Sequence, residues 1–151
     1  MKQLPYIQTS IAIIGYSESA IAKSELNDCF VRAVASAYEI PYDDAHKWVK
    51  ENFNREHRKG TCNVITNMEK FALNNETLNN KKVKVISNLT KLDQNKLKRT
   101  TLNQFIKKYP VGTYVIIVRQ HAFTLKNGFV VGNPNDSKSL KKIVQFAYEI
   151  C

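Results

Sequence analysis

The chain has 151 residues and a formal net charge of +10, from 23 Lys+Arg against 13 Asp+Glu. At 43% hydrophobic, with 5 Gly and 4 Pro, it has the apolar material for one core, in which a chain of this size buries roughly 70% of its unfolded surface, and too little Gly and Pro for extended disorder. Its three cysteines, Cys29, Cys62 and Cys151, form no Cys-x-x-Cys pair and no Cys/His pair at zinc-ligand spacing, which argues against a disulfide framework and against a structural metal.

Met1 to Ser10 lacks the apolar stretch of a secretory signal, and the longest apolar runs, Ile11–Gly15 and Tyr114–Val118, fall far short of a membrane span. A cytoplasmic protein with no membrane association is therefore expected. The basic balance favours polyanionic partners such as nucleic acid or acidic protein surfaces, beside its plain contribution to solubility.

In chain order, Tyr6 to Tyr16 is β-rich and reads as one strand, and Ser17 to Ala22 is ambiguous. Asn27 and Asp28 are good N-cap residues for an unbroken helix over Cys29–Tyr38, ended by Pro41. A second helix runs from Tyr42 to about Asn52, with Asp43 and Asp44 in its first turn and Ala45, Trp48 and Val49 on its apolar face. Asn54 to Asn63 is a polar, basic loop, and a short helix over Val64–Leu73 follows.

Lys82 to Ser87 reads as a strand inside a lysine-rich span, Lys81 to Arg99, whose default reading is a solvated face. Thr100 or Thr101 caps a helix over Leu102–Lys108. Gly112–Arg119 is a buried strand by composition, and His121–Leu125, the Asn127-Gly128 turn and Phe129–Val131 form a hairpin. A last strand is expected around Ile143–Tyr148. Helices first and an antiparallel sheet last make a single α+β domain over residues 1–151.

A cysteine nucleophile needs a route to thiolate, a base within reach and a third group that orients the base. Cys29 opens a helix, where free N–H groups and the dipole favour an anionic sulfur. The neighbouring Asp28 carboxylate opposes this unless it turns away. His121 opens a strand directly after the previous one ends. Asn127 lies midway between His121 and Asn133, so a hairpin turning there sets Asn133 across from the histidine, able to fix its tautomer. Asn135 and Asp136 are nearby alternatives. Of the remaining candidates, His46 reads as a helix-face residue, Trp48 as core, and Cys62 and Cys151 as bystanders.

The run Asn27-Asp28-Cys29-Phe30-Val31-Arg32-Ala33 followed by Ile40-Pro41-Tyr42-Asp43-Asp44-Ala45-His46 resembles the start of a family of small, mostly bacteriophage-encoded, papain-like cysteine peptidases. Thr101-Leu102-Asn103-Gln104-Phe105, Pro110-Val111-Gly112-Thr113-Tyr114, His121-Ala122-Phe123 and Asn127-Gly128-Phe129-Val130-Val131 resemble its second half. The resemblance covers roughly Leu26 to Asp136. It implies a papain-like fold, with N-terminal helices packed on a C-terminal antiparallel β-sheet. With the residues above, the expected activity is a cysteine hydrolase of peptidase or amidase type, acting without a cofactor through an acyl-enzyme on a protein or peptide, such as a host protein. By carry-over Cys29 is the nucleophile, His121 the base and Asn133 the third member of a Cys-His-Asn triad, where relatives often have Asp.

The sequence departs from the pattern at two places. Lys23 stands where papain-type enzymes carry an oxyanion-binding Gln, leaving Asn27 as the substitute donor. Gln120 stands where relatives commonly have Gly. These departures keep a rival open: an inactive papain-like binding module that holds a host protein or nucleic acid through its basic surface.

Overall fold

The computed structural model describes residues 4–132, 134–138 and 140–151. The elements run β1 (Tyr6–Gln8), α1 (Thr9–Ala12), α2 (Ala20–Ser24), α3 (Cys29–Tyr38), α4 (Tyr42–Phe53), α5 (Val64–Leu73), β2 (Thr77–Leu78), β3 (Lys81–Val85), β4 (Thr90–Asp93), β5 (Lys96–Arg99), α6 (Leu102–Lys108), β6 (Thr113–Val118), β7 (His121–Lys126), β8 (Phe129–Gly132), α7 (Pro134–Ser137) and β9 (Phe146–Ile150). The chain is thus mixed α+β. Among the described residues no helix is long and apolar enough to cross a membrane.

Seven strands form one sheet in the order β1-β8-β7-β6-β9-β3-β2. Because side chains alternate across a strand, β6 feeds two cores. Val115 joins Ala122, Tyr148 and the apolar faces of α3 and α4 on one side. Tyr114 and Ile116 join Phe123, Leu125 and the α6 residues Leu102 and Phe105 on the other.

Helix α3 is apolar nearly all round, and every residue from Phe30 to Tyr38 except Arg32 is buried. It lies against β7 through a polar lock in an otherwise dry interface. Ser36 Oγ donates to Thr124 Oγ1 at 2.7 Å, and Thr124 Oγ1 donates to the Ala33 carbonyl at 2.8 Å, with both side chains excluded from solvent.

Several expectations are corrected. The sheet is mixed, not antiparallel, because β1 runs parallel to β8. Tyr6 to Tyr16 is not one strand: β8 offers pairing partners only from Val130 to Gly132, so β1 ends at Gln8 and the chain turns into α1, leaving Ile11 and Ile14 exposed. The last strand begins at Phe146, later than expected, because Val144 is drawn to Thr100 and Gln145 to Ile117 by backbone hydrogen bonds before regular pairing starts. The lysine-rich span holds a separate two-stranded hairpin, β4–β5, all of whose residues are exposed. The Cys29–Tyr38 helix is found as read, and the helix over Leu102–Lys108 is closed by a capping box between Thr101 and Gln104.

Candidate functional site

Asp28 is the N-cap of α3, so Cys29 occupies the first helical position, where its own backbone N–H has no intrahelical acceptor. Asp28 does not cap with its side chain. Its carboxylate instead accepts the Tyr42 hydroxyl at 2.7 Å and meets Arg32 Nε at 3.2 Å, and these two partners draw its charge onto themselves rather than onto the sulfur.

The Ser36–Thr124 lock sets the distance from α3 to β7. Seven residues of helix separate Ser36 from Cys29, a rise of about 10 Å, and three residues of strand separate Thr124 from His121, also about 10 Å. The two lever arms match. They bring the Cys29 sulfur into hydrogen-bond contact with the His121 ring and with the Ala122 N–H.

On its other side, His121 Nε2 lies 2.8 Å from Asp136 Oδ1, with the ring N–H approaching obliquely. That leaves Nδ1 for the sulfur. Asp136 is 5% exposed and reaches the ring from α7, the turn of helix directly after β8. The Leu4 N–H bonds to the Ser137 carbonyl and the Val130 N–H to the Pro5 carbonyl, so the N-terminal segment straps α7 to β8.

Gly132 leaves room for the Asp136 carboxylate. A Cβ added there would meet Asp136 Oδ2 at 2.7 Å, closer than carbon and oxygen approach, and would push the carboxylate off the histidine.

Burial pushes the Cys29 thiol up, but hydrogen bonds from the His121 ring and the Ala122 N–H, with the charges of His121 and Arg32, outweigh it and bring it below its ordinary value. The hydrogen bonds to Asp136 and Cys29 outweigh burial at His121 and raise it to about 9. Lowering the thiol and raising the imidazole both act toward an anionic sulfur facing a cationic imidazole, the state in which a thiol is nucleophilic. The crevice between them, lined by Cys29, Arg32, His121, Phe123, Gly132 and Asp136, is narrow, with room of about 10 Å³, close to that of a single water.

Of the four residues singled out from sequence, Cys29 and His121 lie together. Asn133 falls outside the described residues, and the group within reach of His121 Nε2 is Asp136. Counting symmetrically outward from Asn127 misses the register, because Lys126 pairs with Phe129 and the turn is centred between Asn127 and Gly128. It also assumed a hairpin that continues, whereas β8 stops at Gly132 and α7 returns a carboxylate one turn later. Asn27 has a left-handed backbone (φ 54) and its side-chain amide donates to the Arg58 carbonyl at 3.3 Å. That amide is engaged by a loop, which weakens its case as an oxyanion donor and leaves the Cys29 N–H as the better one. Gln120, with φ 58, holds the left-handed turn conformation that glycine adopts without strain.

A second cluster lies just upstream, and sequence reasoning missed it. The fully covered Glu25 side chain receives Arg55 Nη1 at 2.6 Å, Arg55 Nη2 at 3.1 Å, His46 Nε2 at 2.5 Å and the Arg58 N–H at 2.8 Å. Burial raises its carboxyl, and the Arg55, Arg58 and His46 hydrogen bonds outweigh that and bring it to about 2. Arg55 also donates to the Leu26 carbonyl at 3.2 Å. The basic loop over 54–61 therefore braces the segment that leads into Cys29.

Glu25, His46 and His57 present ligand-type atoms within 4.8 Å of one another. Both carboxylate oxygens are nevertheless taken by Arg55, whose Nη1 lies 3.5 Å from His46 Nε2. The cation that this site holds is a guanidinium.

No family model, no curated protein and no solved structure matches this chain.

Proposed function

We propose that the protein is a cysteine hydrolase of papain-like type, of the kind encoded by bacteriophages, acting on an amide bond of a protein or peptide. The observation that carries this reading is the row Cys29–His121–Asp136, in which one imidazole bridges a thiol at a helix start and a buried carboxylate. This is the nucleophile, base and orienting group that acyl transfer through sulfur requires.

In the reaction the Cys29 thiolate forms a C–S bond to the substrate carbonyl carbon. The carbonyl electrons move to oxygen, where the Cys29 N–H at the start of α3 stabilises the charge. The tetrahedral species collapses as the C–N bond breaks, and the His121 imidazolium gives its proton to the departing amine. Water then attacks the thioester. The now neutral His121 takes its proton, the C–S bond breaks, and the acid leaves as the thiolate and imidazolium are restored. Asp136 keeps the ring oriented and its cationic form favoured throughout. All of this uses side chains and water, with no cofactor.

The test is alkylation by iodoacetamide near neutral pH, followed residue by residue. Cys29 is expected to react at least tenfold faster than the exposed Cys62 and Cys151, and His121→Ala is expected to remove that advantage, slowing Cys29 about tenfold or more by lowering its thiolate fraction. Equal rates at Cys29 and Cys151 would end the proposal.

The narrowness of the crevice favours a second reading, a papain-like binding module in which turnover is weak or lost. It predicts fast alkylation of Cys29 with no acyl-enzyme formed from any peptide ester or amide.

A further inference from the structure

A large cleft among the described residues lies beside the reacting pair, between the β4–β5 hairpin and the end of β6 at which Val118 pairs with His121. It encloses about 830 Å³. Its rim carries Arg99, Arg119 and Lys142 and its floor Val118, Ile143 and Phe146. No carboxylate lines it, and none of the three cations has an ion-pair partner among the described residues. This is a concentrated share of the net charge of +10, set on a built, half-apolar trough.

Register connects the cleft to the reacting pair. Phe146 pairs with Ile117, and Ile117 pairs with Ala122, whose N–H faces the Cys29 sulfur. Two strand spacings, about 10 Å, separate the trough floor from the sulfur's neighbour. An extended polypeptide covers that in about three residues. Arg119 stands two positions before His121 at the same strand ends.

The hairpin continues the path outward. Its two-residue turn, Gln94-Asn95, has both φ angles positive at 49 and 64, the primed-turn geometry that matches strand twist. In this register Thr90, Leu92, Leu97 and Arg99 share one face. Leu92 and Leu97, directly opposed, are 71% and 64% exposed, and they extend the apolar floor past the rim.

We infer that this trough is the substrate-recognition subsite of the Cys29 centre, and that it takes an acidic segment of a polypeptide, with Asp or Glu about three residues from the bond attacked. The inference rests on the hydrolase reading. Single-stranded nucleic acid fits less well: its bases bind by stacking on aromatic rings, and the exposed apolar groups here are leucines, with Phe146 the one ring in the trough.

The groove and the sulfur are tested separately. In the full-length Cys29→Ala protein, a fluorescent hexaglutamate peptide is expected to bind by anisotropy. The Arg119→Gln/Lys142→Gln double variant, altered only at exposed positions, is expected to weaken it at least tenfold, while Lys96→Gln on the opposite hairpin face changes it less than twofold. In the wild type, chloroacetyl peptides with Asp three residues from the reactive group are expected to alkylate Cys29 about tenfold faster than those with Lys there, each rate taken relative to iodoacetamide. That ratio should approach one in the double variant. Hexaglutamate binding that ignores both substitutions, a ratio near one in the wild type, or an oligothymidylate that outcompetes hexaglutamate at equal salt would each overturn the inference. Failure of the hydrolase reading shows in the iodoacetamide rates of Cys29 against Cys151 or in the absence of an acyl-enzyme from peptide esters, neither of which the anisotropy measurement uses.

Discussion

Two sites a few residues apart are built from the same ingredients, a histidine against a buried carboxylate, and they do opposite things. At Cys29–His121–Asp136 the imidazole lies between a carboxylate and a thiol, so its charge is shared by two groups that both gain from it, and Arg32 adds its charge toward the sulfur. At Glu25 the carboxylate already has a guanidinium bound through both nitrogens and a backbone N–H as well, and His46 adds one more donor. The first arrangement leaves a proton to move. The second spends every lone pair on holding a loop. What separates a reactive site from a structural one here is that a guanidinium, Arg55, holds both oxygens of the Glu25 carboxylate, and not the identity of the acid–imidazole pair.

The sharpest way to break this contrast is to remove the guanidinium. Arg55 is 4% exposed, and Arg55→Ala leaves Glu25 covered with its main partner gone, a change that costs about 3–5 kcal/mol, read as a shift in the urea midpoint at neutral pH. Acid titration tests the same cluster from the other partner. A carboxyl held at about 2 against an ordinary 4.5 contributes stability that is complete above 4.5 and is lost as pH falls toward 2. Glu25→Gln is expected to flatten that part of the stability profile. A profile as steep in Glu25→Gln as in the wild type would show that other carboxyls carry the acid sensitivity.

The same operation on the reactive row has a smaller effect on folding and a specific effect on chemistry. Asp136→Asn removes the first cause of the raised His121 value, so the upper limit of the imidazolium window is expected to fall from about 9 toward the ordinary 6.5 for histidine. Because the group is raised in the folded protein, its contribution to stability is present below 6.5 and fades as pH climbs through 9. Histidine NMR titration reads the shift directly. Cys29 alkylation at pH 8 should slow, since the thiolate loses its cationic partner there. Gly132→Ala is expected to give a weaker version of the same shift, by displacing Asp136 Oδ2 without altering any charge.

The reactive row was partly legible because its parts carry strong local signals: a helix start fixes Cys29, and the Asn127-Gly128 turn fixes the frame of His121. The third group depended on where β8 stops, which is decided by β1 alongside it and the strap from Leu4 to Ser137, contacts spanning most of the chain. The Glu25 cluster was illegible for a related reason. His46 sits on an amphipathic helix, Arg55 in a loop and Glu25 after a short helix, and no spacing rule joins three such positions. The β4–β5 hairpin was hidden because all of its residues face solvent, so it shows none of the burial alternation by which strands are read.

The smallest predicted effect concerns the lock that sets both lever arms. Thr124→Val keeps the shape of the side chain and removes the bond to the Ala33 carbonyl and the acceptor of the Ser36 hydroxyl. Ser36 retains the Arg32 carbonyl as an alternative acceptor at 2.9 Å, so the stability cost is expected to be modest, about 1 kcal/mol in urea. The chemistry should respond more than the stability does. With the lock gone, α3 can slide along β7, and a shift of a few tenths of an ångström at Ser36 is carried rigidly to Cys29 two turns away. The expected signature is a several-fold loss of selective alkylation at Cys29 in a protein that unfolds within about 1 kcal/mol of the wild type. Loss of stability with unchanged Cys29 reactivity would show that the sulfur and the ring are held together by their own contacts and by the Ala122 N–H, and that the Ser36–Thr124 pair serves packing alone.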